Sequence, residues 1–390
     1  MTSISSAPNE VRRFIVENRP VRGYWVDLES AWQELRAHQE YPPAVRDLLG
    51  EAVSAAVLLA ATLKFEGNLT LQLEGQGQVR LLVAQCTHDF RVRAVARLRS
   101  EDELEGEGLE GEGLDSQADG VETADGGVSS AASDEHLPGE GASDDDSAGQ
   151  REAGEGSGSE SGLGAVKFVD LGAPLPGAEP FSGMSRAAGI ASAQAFRRLV
   201  GESGRVLVTI EAAERDMRYQ GIVPLSGDSL SECLEEYFAS SEQLPTRVRL
   251  AADGQRAVGL LVQKLPERGG EEPDHESAAA LAWREAERGI ASVQSAELVH
   301  ASLQNVLATR FGQQDVRVFK GSEVQFACRC SQARVAGVLK TLGVEEVRDV
   351  LREQGSVEVT CEFCQRPYRF DAFAIEQLFA ADAEPRGWIH

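Results

Sequence analysis

Four cysteines carry the most specific chemistry in this chain. Cys328 and Cys330 stand in "FACRCSQ", and Cys361 and Cys364 stand in "EVTCEFCQRPYRF". The spacing is C-x-C, then 30 residues, then C-x-x-C. Each close pair can place two thiolates on one ion, and two pairs complete a tetrahedral S4 site. Zinc suits such a site first and iron less well. Thiolates that bind a soft cation are also targets for oxidants. Joining Cys328 to Cys330, or Cys361 to Cys364, would remove two ligands and release the ion, and the folding free energy held by the metal would be lost with it. The C-x-x-C pair has ordinary spacing for a bridge, whereas closure of C-x-C calls for local rearrangement. Three roles are therefore open: a permanently closed structural clasp, a thiol switch, and a nucleic-acid-binding knuckle. For the last, Arg366, Tyr368, Arg369 and Phe370 offer a basic and aromatic surface. Against it, Glu323, Glu345, Glu346, Asp349 and Glu358 surround the group in sequence.

Conventional catalytic patterns are missing from the sequence. It has no G-x-G-x-x-G fingerprint, no Walker loop and no H-E-x-x-H. The six histidines avoid the four-cysteine group; His136 lies in an acidic stretch and His390 is terminal. Thr209, Ser226 and Asp228 read as ordinary strand, turn and helix-start residues. Cys86 ends an apolar strand and Cys233 sits in a helical pattern, so both read as buried packing groups. The expectation is that the protein is not an enzyme. No apolar h-region opens "MTSISSAPNEVRRFIVENRP", so no signal peptide is expected. No apolar run reaches the roughly 18 residues of a membrane span. The expected compartment is the cytoplasm, where close cysteines bind metal or do redox work more often than they form structural disulfides.

The elements that must position the cysteines come from a chain of 390 residues, 42% hydrophobic. That is enough for one sizeable core and a second, smaller unit. In residues 1–99, "VRRFIV" reads as the start of a short helix and "VRGYWVDL" as a strand. "PPAVRDLLGEAVSAAVLLAATLKF" is a proline-started buried helix. "LTLQLEG", "QVRLLVAQC" and "FRVRAVARL" follow as strands, which implies an antiparallel sheet covered by helices. Residues 101–160 then hold 20 of the 63 acidic residues and a single Arg or Lys, Arg151. Much of the net charge of -25 therefore comes from this stretch, and it says little about the folded surface. With no apolar face, residues 100–190 read as a disordered acidic insertion. Order is expected to resume near Ala191. Strands "RVLVTIE" and "MRYQGIVPL" follow, then an amphipathic helix with Leu230, Cys233, Leu234, Tyr237 and Phe238 on one face. A hairpin is expected around Asp253-Gly254. Residues 191–264 thus complete the sheet domain begun by 1–99. Residues 265–325 read as a linker with helices of limited stability, because the apolar face of 277–311 is mixed and modest. Residues 326–380 form a small unit with apolar positions Val335, Val338, Leu339, Leu342, Val347, Val350 and Leu351, too few to be secure without a metal.

These motifs together resemble the heat shock protein 33 family of bacterial redox-regulated holdase chaperones. "FACRCSQARV" and "CEFCQRPYRFD" are similar to that family's zinc unit. "VRGYWVDL", "LLAATLKFEGNLTLQLEGQGQVRLLVAQC", "MRYQGIVPLSG", "CLEEYFASSEQLPTR" and "GLLVQKLP" are similar to its N-terminal domain. The resemblance implies an α+β fold: an N-terminal antiparallel sheet domain packed with helices, a helical metastable linker, and a small C-terminal zinc-binding α+β domain. It implies one Zn2+ per reduced chain, held by Cys328, Cys330, Cys361 and Cys364. The same four would be the redox switch, forming Cys328–Cys330 and Cys361–Cys364 disulfides on oxidation. Zinc release and linker unfolding would then expose surfaces that hold unfolding client proteins without ATP. It further implies a homodimer when oxidised and handover of clients to ATP-dependent chaperones, with no membrane or nucleic-acid partner. The alternative is a constitutive protein-binding scaffold with a purely structural zinc site. The 101–190 stretch departs from the family pattern. A solubilising tether, an electrostatic shield over client surfaces and a plain spacer are its possible roles.

Overall fold

The computed structural model describes residues 9–63, 65–100, 103, 186–212, 218–266, 278–312 and 314–380. The acidic insertion expected over 100–190 lies almost wholly outside the described residues. Helix resumes at Arg186, slightly before the expected point.

The long apolar run forms α2 (Pro43–Thr62), after the short α1 (Ser30–Arg36). Proline at the first turn has no N–H to leave unpaired. Buried residues recur on every side of α2, from Val45 to Ala60. A helix apolar all round must be covered all round, and α2 lies between two sheets that share one core with it.

The first sheet contains β1 (Glu10–Val16), β2 (Val21–Leu28), β8 (Thr246–Ala252), β9 (Ala257–Lys264), β10 (Val316–Val318) and β11 (Ser322–Glu323). Its order is β10-β1-β2-β9-β8, and β11 also pairs with β1. The second contains β3 (Gly67–Gly75), β4 (Val79–Thr87), β5 (Arg91–Leu98), β6 (Gly204–Ala212), β7 (Arg218–Pro224) and β12 (Gln325–Phe326), in the order β12-β5-β4-β3-β6-β7. The antiparallel β3–β6 pairing runs from Gly67↔Ala212 to Gly75↔Gly204. It joins sequence from either side of the acidic stretch into one sheet. The helix α3 (Arg186–Val200) precedes β6, and α4 (Leu230–Tyr237) follows β7. Leu230, Cys233, Leu234, Tyr237 and Phe238 are all buried, as their spacing implies. The β8–β9 hairpin turns at Asp253-Gly254, closed by Asp253 N–H to Arg256 O at 2.9 Å.

One local expectation fails. "VRRFIV" is strand β1, not a helix, because β2 and β10 pair with it on either side. Phe14 lies over its cross-strand partner Gly23, where any Cβ would collide with the ring.

The linker is better packed than its composition suggests. Helices α5 (Ala278–Ala291), α6 (Ser295–His300) and α7 (Leu303–Phe311) bury Ala286, Ile290, Leu298, Leu303, Leu307 and Phe311. These residues form a second apolar cluster with Phe14, Val16, Trp25, Val258, Leu260 and Val262 of the first sheet. That sheet is therefore buried on both faces. This is why β2 and β9 are almost continuously buried instead of alternating with solvent. At Gly259 a Cβ would stand 2.7 Å from Leu58, so the missing side chain lets α2 approach. The linker also contributes β10 and β11, which the expectation of a helical linker did not include. No helix among the described residues is long and apolar enough to cross a membrane.

Polar contacts fix the linker to the sheet. Arg256 bonds the buried Asp27 carboxylate at 2.6 Å and the Val299 and Ala301 carbonyls at 2.8 and 3.4 Å. It thereby satisfies oxygens at the end of α6 that the helix cannot. Arg19 reaches Glu285 at 2.7 Å, and Arg247 pairs with Glu287. Replacing Arg256 with Ala leaves Asp27 charged and buried without its cation. Arg256→Ala is expected to cost about 3–5 kcal/mol by urea unfolding. Amide exchange should rise first in 295–311, and Arg256→Lys should recover part of the loss.

Candidate metal centre

The last described unit is small. Helices α8 (Gln332–Leu342), α9 (Val344–Gln354) and α10 (Ala372–Ala380) surround the hairpin of β13 (Val357–Thr360) and β14 (Pro367–Phe370). Its buried apolar core is Val335, Leu339, Val347, Val357, Phe370 and Ile375. Val338 and Leu342, expected as core positions, are more than half exposed, and Val350 is 36% exposed. Three short helices cannot cover both sides of α8, so one stripe packs and the other faces water. Phe373, which composition allowed as core, is 71% exposed.

Each cysteine pair sits where the chain changes direction. β12 runs straight into Cys328, and Ser331 caps α8 just after Cys330 by accepting from the Arg334 N–H. Cys361 and Cys364 form the knuckle of the β13–β14 hairpin. The knuckle is held by Cys361 N–H to Arg366 O at 2.9 Å and Gln365 N–H to Cys361 O at 2.8 Å, with Gln365 left-handed at φ 52°. The C-x-C and C-x-x-C pairs thus meet although 30 residues separate them.

The four Sγ atoms all lie within 4.8 Å of one another. Cys328 and Cys361 are 3.6 Å apart, and Cys330 and Cys364 are 3.4 Å apart. A tetrahedron of Zn–S bonds of about 2.3 Å has edges of roughly 3.8 Å. The donor set therefore fits one ion, and the four cysteines could hold a metal. Among the described residues no histidine or carboxylate joins them.

The surroundings favour negative sulfur at Cys330. The Tyr368 hydroxyl donates to Cys330 Sγ at 3.0 Å. Burial opposes ionisation of Cys330, but hydrogen bonds from Tyr368 and the other three cysteines outweigh it and bring that thiol down to about 7. Burial and the neighbouring sulfurs push Cys364 up to about 12. Burial also raises Cys328. Four thiolates and one divalent cation leave a net charge of about −2. Arg366 feels both Cys330 and Cys364, and Arg329 feels Cys328, which offsets that charge.

The residues between the cysteines dock the unit on the second sheet. Arg329, inside C-x-C, donates to Asn68 Oδ1 at 2.9 Å and Gln85 Oε1 at 3.5 Å. Both carboxylate oxygens of Glu362, inside C-x-x-C, accept from Nη2 of Arg97 at 2.5 and 2.6 Å. The guanidinium of Arg93 stacks on the Phe363 ring, 4.1 Å from its centroid. Sequence reasoning did not single out Arg329, Glu362 or Phe363. Their only sequence signal is their place inside the two motifs.

Other candidates do not assemble into a site. Of the residues considered for nucleic acid, Phe370 is core, Tyr368 donates to Cys330, Arg369 donates to Ser356, and Arg366 is exposed. Thr209 accepts from Gln220, Ser226 donates to Glu236, and Asp228 pairs with Arg197. Cys86 and Cys233 are fully buried, and burial raises both thiols above the usual cysteine range. His136 and His390 lie outside the described residues.

Comparison with known proteins settles the family. A family model described as Hsp33 protein matches residues 9–130 and 178–371. The chain belongs to the Hsp33 family. Relatives named 33 kDa chaperonin include those of Methylobacillus flagellatus, 30% identical over 96% of this chain and 95% of theirs, and Chromobacterium violaceum, 31% identical with the same coverage. The Nitrosococcus oceani relative is 32% identical over 95% of this chain and 94% of its own. The crystal structure of the 33 kDa chaperonin from Thermotoga maritima has the same fold, with TM-score 0.61 and 20% identity over 96% of this chain and 99% of that one. The Hsp33 model leaves residues 131–177 unmatched, a shorter segment than the 101–190 departure read from the sequence.

The geometry makes a direct test available. Titration of the reduced chain with Co2+ should give thiolate charge-transfer absorption that saturates at one ion per chain. Cys361→Ser should abolish saturation, and Tyr368→Phe should weaken binding about tenfold or more, as loss of a hydrogen bond to a ligand typically does.

Proposed function

We propose that this chain is an ATP-independent holdase chaperone switched on by oxidation. Membership of the Hsp33 family, whose relatives carry the name 33 kDa chaperonin, supports a chaperone role. One observation carries the rest of the reading. The loops that hold the four sulfurs are also the loops that hold the small unit against the second sheet.

Cys328, Cys330, Cys361 and Cys364 would bind one Zn2+ in the reduced chain. Bound there, zinc supplies a cross-link that a six-residue core needs for stability. Hypochlorite takes two electrons from each thiol pair and is reduced to chloride, so two equivalents form Cys328–Cys330 and Cys361–Cys364. Cys328 lies 3.6 Å from Cys361 and Cys330 3.4 Å from Cys364, so each disulfide would replace a cross-loop contact with a bridge inside one loop. Arg329, Glu362 and Phe363 then lose the geometry that docks them. Opening would pass to the linker through residues 316–326, exposing the face of Phe14, Trp25, Val258, Leu260 and Val262. An apolar face of this kind suits segments of unfolding proteins. Dimerisation when oxidised, handover to ATP-dependent chaperones and a cytoplasmic setting belong to the same proposal.

The second reading is a constitutive binding scaffold with a permanently structural zinc. Val338, Leu342 and Phe373 favour it, since they are exposed without any opening. The test follows aggregation of a heat-unfolding client by light scattering, with released zinc assayed in the same samples. Suppression only after hypochlorite releases zinc, and lost again on reduction and zinc return, is the expected result. Equal suppression by reduced and oxidised protein would select the scaffold. No suppression in either state would remove the holdase reading.

A further inference from the structure

We propose that the free side of β5 is a docking groove for an extended polypeptide strand bearing an aromatic side chain, and that β12 is its built-in occupant. This rests on the reading above in one respect: oxidation is the natural way to vacate the groove.

β12 is an unusual strand for this fold. Every other pairing in the two large sheets is antiparallel among the described residues, whereas β12 lies parallel to β5, with Gln325 opposite Arg91 and Phe326 opposite Val92. Gln325 N–H donates to Phe90 O at 3.1 Å, and Ala327 N–H donates to Val92 O at 3.0 Å. Side chains alternate as in any strand. Val324 and Phe326 point to the main core, and Gln325 is exposed. The Phe326 ring packs beside His38, with centroids 5.0 Å apart. The segment therefore shows what the groove recognises: backbone donors spaced as in a strand, and one ring between β5 and the end of α1. Farther along β5, the Ala96 N–H donates to the Tyr41 hydroxyl at 3.0 Å, so a phenol takes the place a longer strand would occupy.

The occupant is weakly held on its own. Its backbone bonds to Phe90 and Val92 each add only about 0.5–1.5 kcal/mol net. Upstream it is anchored by Val324, buried in the main core with its N–H donating to Asn9 O at 2.8 Å; the Gln325–Ala327 end is kept seated by its junction with Cys328 and the docking of Arg329. Once the cysteine loops let go, β5 presents an unpaired edge beside an aromatic-sized hollow. An exposed strand edge takes up an extended segment through its backbone, and a pocket selects the side chain. Non-native proteins offer such segments in abundance. The groove faces the second sheet, so it is separate from the apolar face under the linker.

The experiment uses a fluorescein-labelled hexapeptide with the sequence of residues 322–327, which contains no cysteine. Anisotropy is followed with the full chain in three forms: reduced and zinc-loaded, oxidised and zinc-free, and reduced Ala327→Pro. The substitution removes the N–H that bonds Val92 and so weakens the hold of the occupant, letting the peptide compete for β5 without oxidation. Saturable binding to the second and third forms and none to the first is expected. The Phe326→Asp peptide should bind at least tenfold more weakly. With benzoylphenylalanine at the Phe326 position, cross-links should fall in 38–41 and 90–94. Absence of binding to an oxidised chain that has released zinc and suppresses client aggregation would overturn the groove while leaving the holdase reading intact. Cross-links confined to the face containing Trp25 and Leu260 would also overturn it. If oxidation releases no zinc, the oxidation switch fails, and reduced Ala327→Pro, checked for native near-UV circular dichroism, still decides the groove.

Discussion

Four cysteine sulfurs lie within 4.8 Å of one another. As thiolates they repel, and as thiols they give little adhesion, so their convergence is the constraint on which the C-terminal unit depends. Its apolar core has six buried side chains, and half of α8's apolar surface is left to water. A cation shared by the four sulfurs would turn that repulsion into a cross-link. The same residues set the position of Arg329, Glu362 and Phe363, and through them the contact with the second sheet. Local chemistry at sulfur and long-range docking are thus one structural event.

The sequence made some features legible and hid others for identifiable reasons. The cysteine pairs were readable because ligand spacing is a local property. The buried α2 was readable because its apolar residues run on all sides, and the β3–β5 run because its alternation and turns are local too. Strand β1 was misread because Val11, Phe14 and Ile15 fit a helical spacing, while the partners that make it a strand lie in β2 and, far along the chain, in β10. The linker was undervalued because Ala282, Ala286 and Ile290 make only a thin stripe. The sign of its packing lay elsewhere, in the unbroken apolar character of β2 and β9, which requires a cover on both faces. Arg329 was invisible because its acceptor Asn68 is 261 residues away in sequence. The acidic stretch contributes much of the net charge and lies almost wholly outside the described residues.

The two sheets are covered on their outer faces in different ways. The first is covered by an apolar cluster and by arginines that bind carboxylates and helix-end carbonyls. The second is covered through polar and stacked groups, with Asn68, Gln85, Arg93 and Arg97 as the receiving side. Contacts of the second kind are exchanged for water at small cost, while uncovering the first exposes aliphatic and aromatic surface. By that difference the polar seam costs less to part than the apolar one.

The path of the chain at the linker has a further consequence. β9 leaves the first sheet at Lys264 and β10 rejoins it at Val316, with β1 and β2 lying between them. Three strand spacings put these anchor points roughly 14 Å apart. The intervening segment is therefore an arch standing on two feet in the same sheet, and not a loose tail. So long as β10 keeps its pairing with β1, melting of the helices between would leave both ends in place, so the entropy of bringing them together again would be met by the sheet. A segment tethered in this way is geometrically suited to repeated use, because its return would need only local refolding above that sheet.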